Sequence, residues 1–141
     1  MVDSQLLGFL IGDGWCYKDV HRNYIVGFTQ SIRNSDVMNC YKHLLSHLGR
    51  VYQKHRHRKN AFDVYVKNKR LLESFKECKT RSAETFEHLT SNDKKKFIGG
   101  FVDAEATVTI SRCRIYNASH ELLAAIQHYL KEEVKLYAIL Y

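Results

Sequence analysis

Two short segments of this chain share an unusual design. LLGFLIGDG at 6–14 and IGGFVDAEA at 98–106 are both apolar, hold glycine within a helical pattern and end in a carboxylate. In register, Gly8 aligns with Gly100 and Asp13 with Glu105. A glycine inside a helix costs about 1 kcal/mol relative to alanine. Close backbone approach of two helices is the obvious reason to accept that cost, because only glycine lets the axes come so near. Gly8, Gly99 and Gly100 are read as such contact glycines. Parallel packing of the two helices would bring their last turns, and so Asp13 and Glu105, together. Two like charges placed side by side require a compensating cation. A hard divalent ion such as Mg²⁺ suits a pair of oxygen ligands. For either motif alone, a helix-ending turn at Asp13-Gly14 or a solvated Glu105 is the plainer reading. Their occurrence at equivalent places of a repeat favours the metal site.

The repeat extends beyond the motifs. A strand pair and then a capped helix follow each one. In Tyr24 to Gln30, Tyr24, Val26 and Phe28 alternate with Ile25, Gly27 and Thr29, which suits a strand with one side on a core. NSDVMNCYKHLLSHLG places Val37, Tyr41, Leu44, Leu45 and Leu48 on one helical face and stops at Gly49. Leu122, Ile126, Tyr129, Leu130 and Glu133 take those places in the second unit. Val51-Tyr52 and Leu136-Tyr137 come next, and predict a further strand in each. KRLLESFKECK reads as a helix, followed by a polar helical region over 82–89. The expected order is αββαββα for residues 1–90, with a motif helix at 4–13 and a hairpin at 50–67. Residues 91–141 read as a truncated αββα(β) unit, with a motif helix at 93–105 capped by Ser91-Asn92-Asp93.

The net charge of +7 has an address. Residues 50–70 hold Arg50, Lys54, Arg56, Arg58, Lys59, Lys67, Lys69 and Arg70 against Asp63 alone, which is the whole excess. Concentrated positive charge is the footprint of a polyanion partner, most often nucleic acid, with a merely solvated basic surface as the bland alternative. Lys54, Arg56 and Arg58 share one parity, so a strand there would line them up on one face. Hydrophobic residues at 45% and charged residues at 26% exclude disordered and collagen-like classes. No apolar run is long enough to span a membrane, and the N-terminus shows no signal-peptide pattern. A soluble, cytoplasmic protein is expected. Cys16, Cys40, Cys78 and Cys113 form no close pair, so they are expected to be reduced and buried.

At this point the residues resemble a family, the LAGLIDADG homing endonucleases in their two-motif form, typical of archaeal intron and intein enzymes. LLGFLIGDG matches the nine-residue motif at every key position. The second copy matches at Gly100, Asp103, Ala104 and Glu105, with Ala106 where glycine usually stands. The resemblance implies an α+β fold of αββαββα units with a saddle-shaped antiparallel sheet over double-stranded DNA. Its two motif helices form the seam. It also implies Mg²⁺-dependent, or other divalent-cation-dependent, double-strand cleavage at a long target site. The last acid of each motif carries over as a catalytic metal ligand, giving Asp13 and Glu105. Gln30 and Asn117 carry over as water-ordering residues at strand ends; each has a plainer reading as a turn former, and Asn117 as a helix N-cap. The lysine common in the family is absent from its expected places, which read Ser31 and Val108. Lys18 is the nearest substitute along the chain.

The implied DNA surface follows from strand parity. In the first unit it nominates Tyr17, Asn23, Ile25, Gly27, Thr29, Lys54, Arg56, Arg58, Asp63, Tyr65 and Lys67. In the second it nominates Thr109, Ser111, Arg112 and Arg114. Ile25 would touch a thymine methyl, and some of the cations would contact phosphates only. A pseudo-symmetric monomer is expected, with a homodimer as the alternative that would complete a short second unit. A non-catalytic nucleic-acid-binding relative, either an RNA-splicing maturase or a DNA-binding regulator, stands beside the nuclease reading.

Overall fold

The computed structural model of the chain describes residues 2–140. Helix α1 (Ser4–Asp13) starts at Asp3, whose carboxylate accepts the Gln5 and Leu6 N–H groups. It runs straight into strand β1 (Gly14–Lys18), which turns back as β2 (Tyr24–Ser31). Helix α2 (Ser35–Ser46), strands β3 (Tyr52–Arg56) and β4 (Ala61–Lys67), and helices α3 (Lys69–Thr80) and α4 (Ser82–Glu87) follow. The second motif forms α5 (Ser91–Glu105), then β5 (Ala106–Val108), β6 (Cys113–Ile115) and α6 (His120–Tyr129).

The first four strands make one antiparallel sheet in the order β1-β2-β4-β3. With no proline available, its turns use Asx chemistry and left-handed residues. Asp19 accepts the His21 and Asn23 N–H groups between β1 and β2, and Asn60 adopts φ 45° between β3 and β4. Strand alternation then sorts the sheet into two faces. Val26, Phe28, Val64 and Val66 point inward and are fully buried against the helices. At the centre, Phe9 of α1 stacks on Tyr41 of α2 at 3.7 Å and meets Phe28 edge-on.

Helices α1 and α5 touch backbone to backbone. A Cβ on Gly8 would stand 2.0 Å from the Phe97 carbonyl oxygen, and one on Gly100 would stand 1.9 Å from that of Gln5. Gly99 does not belong to this seam: it is exposed and nothing lies within 4 Å of its would-be Cβ. Gly12, which the sequence pattern did not single out, takes its place against Ala104 and Glu105. A second tie runs through Tyr41, whose hydroxyl donates to Asp103 of α5 at 2.5 Å and accepts from Gln5 of α1 at 3.4 Å.

The structure departs from the sequence reading elsewhere. Thr90, rather than Ser91-Asn92-Asp93, caps α5, with Thr90 and Asp93 bonded reciprocally. Strands β5 and β6 hold only three residues each and pair apart from the main sheet. No strand forms at Leu136-Tyr137 among the described residues; α6 ends in a wide turn over Leu130–Val134, closed by Lys135 in a left-handed conformation. The four cysteines are free, but only Cys78 is buried, while Cys40 and Cys113 are exposed. No helix among the described residues is long and apolar enough to cross a membrane.

The seam geometry separates glycines that the sequence pattern groups together. Gly8→Ala and Gly100→Ala force backbone apart and should each destabilise the protein by about 3 kcal/mol. Gly99→Ala adds helix propensity into open space and should stabilise it by about 1 kcal/mol. Chemical denaturation of the three variants distinguishes these outcomes.

Candidate active site and nucleic-acid interface

Asp13 closes α1 and Glu105 closes α5, so both carboxylates stand where a helix hands over to a strand. A Cβ on Gly12 would fall 2.5 Å from Ala104 Cβ and 2.7 Å from Glu105 Cγ, so the two final turns are in close contact. The carboxyl of Asp13 is pushed up to about 6, by burial first and by the neighbouring Glu105 charge second. Neither acid has an ion-pair partner among the described residues.

Each acid instead accepts one amide. Gln30, at the end of β2, donates from Nε2 to Asp13 at 2.9 Å, and its Oε1 accepts from Asn34. Asn117, just past β6, donates from Nδ2 to Glu105 at 2.9 Å, and its Oδ1 accepts the Ser119 N–H. That backbone N–H can only donate, so it fixes which end of the Asn117 amide faces the acid. Asn117 does not itself cap α6; Ser119 does. Asn34 holds the far end of Gln30 through its own side-chain amide, a contact that no sequence pattern pointed to. A hard cation fits this donor set: two adjacent carboxylates, no basic partner, and one amide left to orient each acid. No group of three or more His, Cys, Asp or Glu forms a metal cluster among the described residues. Lys18 lies at the far end of β1 over the Tyr24 ring, five residues along an extended strand from Asp13, or roughly 16 Å. It cannot stand in for an active-site lysine. Ser31 caps the turn after β2, and Val108 is exposed on β5.

The outer face of the four-stranded sheet carries Lys54, Arg56 and Lys67, while Arg58 and Lys59 lie in the turn after β3 and Lys69 and Arg70 open α3. Strand pairing aligns Tyr17, Ile25 and Lys67 in one row, Trp15, Gly27, Tyr65 and Tyr52 in the next, and Thr29, Asp63 and Lys54 in a third. The second row is an aromatic stripe: Tyr52 stacks on Tyr65 at 5.3 Å, Trp15 lies 6.2 Å from Tyr65, and Tyr17 stacks on Trp15. Lys67 and Arg50 sit over Tyr52. Trp15 and Tyr52 were not among the nominated residues, although each shares the parity of a neighbour that was, Tyr17 and Lys54.

Several nominated residues are placed otherwise. Ile25 has the expected parity but is only 4% exposed, in the row between Tyr17 and Lys67, so it presents no methyl-sized contact. Gly27 is buried close under Tyr65. Asn23 lies in the turn before β2 with its amide on Asp19. Arg58 falls in the helical turn His57–Lys59 after β3 ends, so strand parity does not govern it. Asp63 is buried and already accepts from Thr29 and Arg56. Thr109, Ser111 and Arg112 form the loop between β5 and β6; only Arg114 is on a strand, opposite Thr107.

Comparison with known proteins places this geometry. The sequence model of the LAGLIDADG-like domain matches residues 2–86. No curated protein matches the sequence. Among solved structures, mesophilic variants of the homing endonuclease I-DmoI share the fold at a TM-score of 0.66 and 23% identity, over 92% of this chain and 75% of that one. I-DmoI in complex with DNA and Ca matches at 0.66 and 22%, over 92% and 70% of the two chains. I-DmoI in complex with DNA and Mn matches at 0.69 and 22%, over 92% and 76%. The chain belongs to the LAGLIDADG family, and its fold is that of the homing endonuclease I-DmoI.

Proposed function

We propose that this chain is a site-specific DNA endonuclease that cuts both strands of a long target with the help of a divalent cation. The observation that carries the reading is the Asp13–Glu105 pair, brought together by a glycine seam and left without a basic partner. Asp13 and Glu105 would hold the cation, Mg²⁺ being the natural choice for oxygen ligands. When bound, the cation neutralises charge on the scissile phosphate and favours deprotonation of a water. Two carboxylates fill only part of an oxygen shell, so the remaining places suit phosphate oxygens and water. Gln30 and Asn117 each donate one amide hydrogen bond to an acid, and so would orient the two carboxylates toward the cation. The basic, aromatic outer sheet face supports double-stranded DNA as the partner. With one acid from each unit, residues 1–90 and 91–141, a single chain assembles the pair and need not dimerise to do so.

One observation favours a second reading, a binding protein that has lost cleavage. The positions that would hold a lysine beside the acids are Ser31 and Val108, and Lys18 is remote.

A pool of supercoiled plasmids with randomised inserts tests the leading reading. The wild-type chain with Mg²⁺ should linearise a subset. Asp13→Asn and Glu105→Gln should each lower that activity by more than about a hundredfold while retaining DNA binding. Binding without nicking by the wild-type chain would establish the second reading.

The acid pair also shapes stability. Burial, and then the Glu105 charge, push the Asp13 carboxyl up from its ordinary 3.8 to about 6. A carboxyl with a raised folded pKa costs stability as pH rises through that window. Without metal, Asp13→Asn should therefore stabilise the protein above pH 6, on the order of 1 kcal/mol after solvent screening, and not below pH 4. Millimolar Mg²⁺ should raise the wild-type Tm by mass action and leave that of the variant unchanged. Thermal melts at several pH values, with and without Mg²⁺, measure both effects.

A further inference from the structure

Asp63 is the only acidic residue between 50 and 70, and it lies in the middle of the basic sheet face. A carboxylate there opposes any polyanion that settles on the sheet, so its presence calls for a reason. It is 5% exposed and fully engaged. Thr29 Oγ1 donates to Oδ1 at 2.6 Å, and Arg56 Nε donates to Oδ2 at 2.5 Å. Thr29 in turn accepts from Trp15 Nε1 at 3.0 Å. One hydrogen-bond chain, Trp15–Thr29–Asp63–Arg56, thus crosses all four strands. Lys54 stands directly opposite Asp63, yet the ion pair runs diagonally to Arg56.

We infer that Asp63 is a positioning residue that presents Arg56 as a base-reading side chain, selective for guanine in the major groove, while Lys54 and Lys67 anchor phosphates. The inference rests on the DNA-binding reading above and deepens it. Bonding through Nε leaves the two terminal nitrogens of Arg56, which have no protein partner among the described residues, and the side chain is 48% exposed. That end is a planar fork matching the O6 and N7 acceptors of guanine. The paired carboxylate cancels most of the charge that would make Arg56 useful as a phosphate clamp, and the fixed geometry adds direction. Lys54 and Lys67 are exposed and carry no ion pair among the described residues, so their charge acts at full strength on phosphate.

A randomised duplex DNA library, bound by the full chain in EDTA so that no cutting follows, is the probe. The wild-type chain should enrich a G·C pair at a fixed position. Arg56→Lys, which keeps the charge and loses the fork, should lower that preference about tenfold at that position alone, with the salt dependence unchanged. Asp63→Asn should do the same. Lys54→Ala should keep the preference and reduce the slope of log affinity on log salt by about one. Arg56 is on the surface, so its variant reports even where Asp63→Asn disturbs folding. An unchanged consensus in Arg56→Lys, or a base-independent wild type that still binds duplex, overturns the inference and leaves the DNA-binding reading standing. Failure of the wild type to bind any duplex overturns both.

Discussion

Backbone contact between α1 and α5 at Gly8 and Gly100 is the constraint on which the rest of the molecule depends. The contact leaves no room for a Cβ on either side. It therefore fixes the spacing of the two helices more rigidly than side-chain packing could, because backbone cannot change rotamer. Everything at the far end inherits that spacing. Gly12 lets the last turns close, Glu105 comes against it, and the charges of Asp13 and Glu105 are felt by one another. The same helices also organise the core. Phe9 leaves α1 to stack on Tyr41, and the Tyr41 hydroxyl returns to Asp103 on α5, so α2 is bound to both partners of the seam. Moving one helix would disturb the acid pair and the centre of the core together.

The sheet meets a different demand, which is to be apolar on one side and cationic on the other. Alternation achieves this in β2 and β4, where Val26, Phe28, Val64 and Val66 are fully buried while Lys67 and Tyr65 face outward. Burial is not decided by face alone. Ile25 is on the outer face and is nonetheless covered, because its row holds Tyr17 and Lys67, long side chains on both neighbouring strands. In the second unit the strands are too short for such rows. Thr107 and Arg114 make one pair, and the loop then carries Thr109, Ser111 and Arg112. The basic face is thus a property of the four-stranded sheet, where Lys54, Arg56 and Lys67 stand on β3 and β4.

What could be read from the sequence was whatever rests on period and repeat. Helical spacing with glycine and a terminal acid located α1 and α5 and brought Asp13 and Glu105 into one argument. Strand parity placed Lys54 and Lys67 on a common face. The failures occurred where a residue's fate is set across strands or by a turn. Arg58 keeps the parity of Lys54, but the strand ends at Arg56 and Asn60 turns the chain. Gly99 looks like Gly100 from sequence but points away from the seam into open space, since adjacent helical residues point about 100° apart. Asn34 and Ser119, which hold the far ends of the two amides, act through single hydrogen bonds that leave no periodic trace.

Two acidic settings in this protein are complementary, and the contrast bears on what each is for. Asp63 is buried with an arginine on one oxygen and a hydroxyl on the other, so its charge is satisfied within the chain. Asp13 is half-buried beside a second carboxylate and receives one amide hydrogen bond. If acids were placed here to stabilise the fold, the pair at the seam would carry a cationic neighbour, as Asp63 does, and this lysine- and arginine-rich chain does not lack them. Instead, 22 cationic residues are distributed so that none pairs with either seam acid among the described contacts. A residue that costs stability and is held in place by specific hydrogen bonds is characteristic of a functional site rather than a structural one. Protonation of Asp13 relieves the repulsion at low pH, and at higher pH a bound cation would do so, which is the role proposed above for the pair.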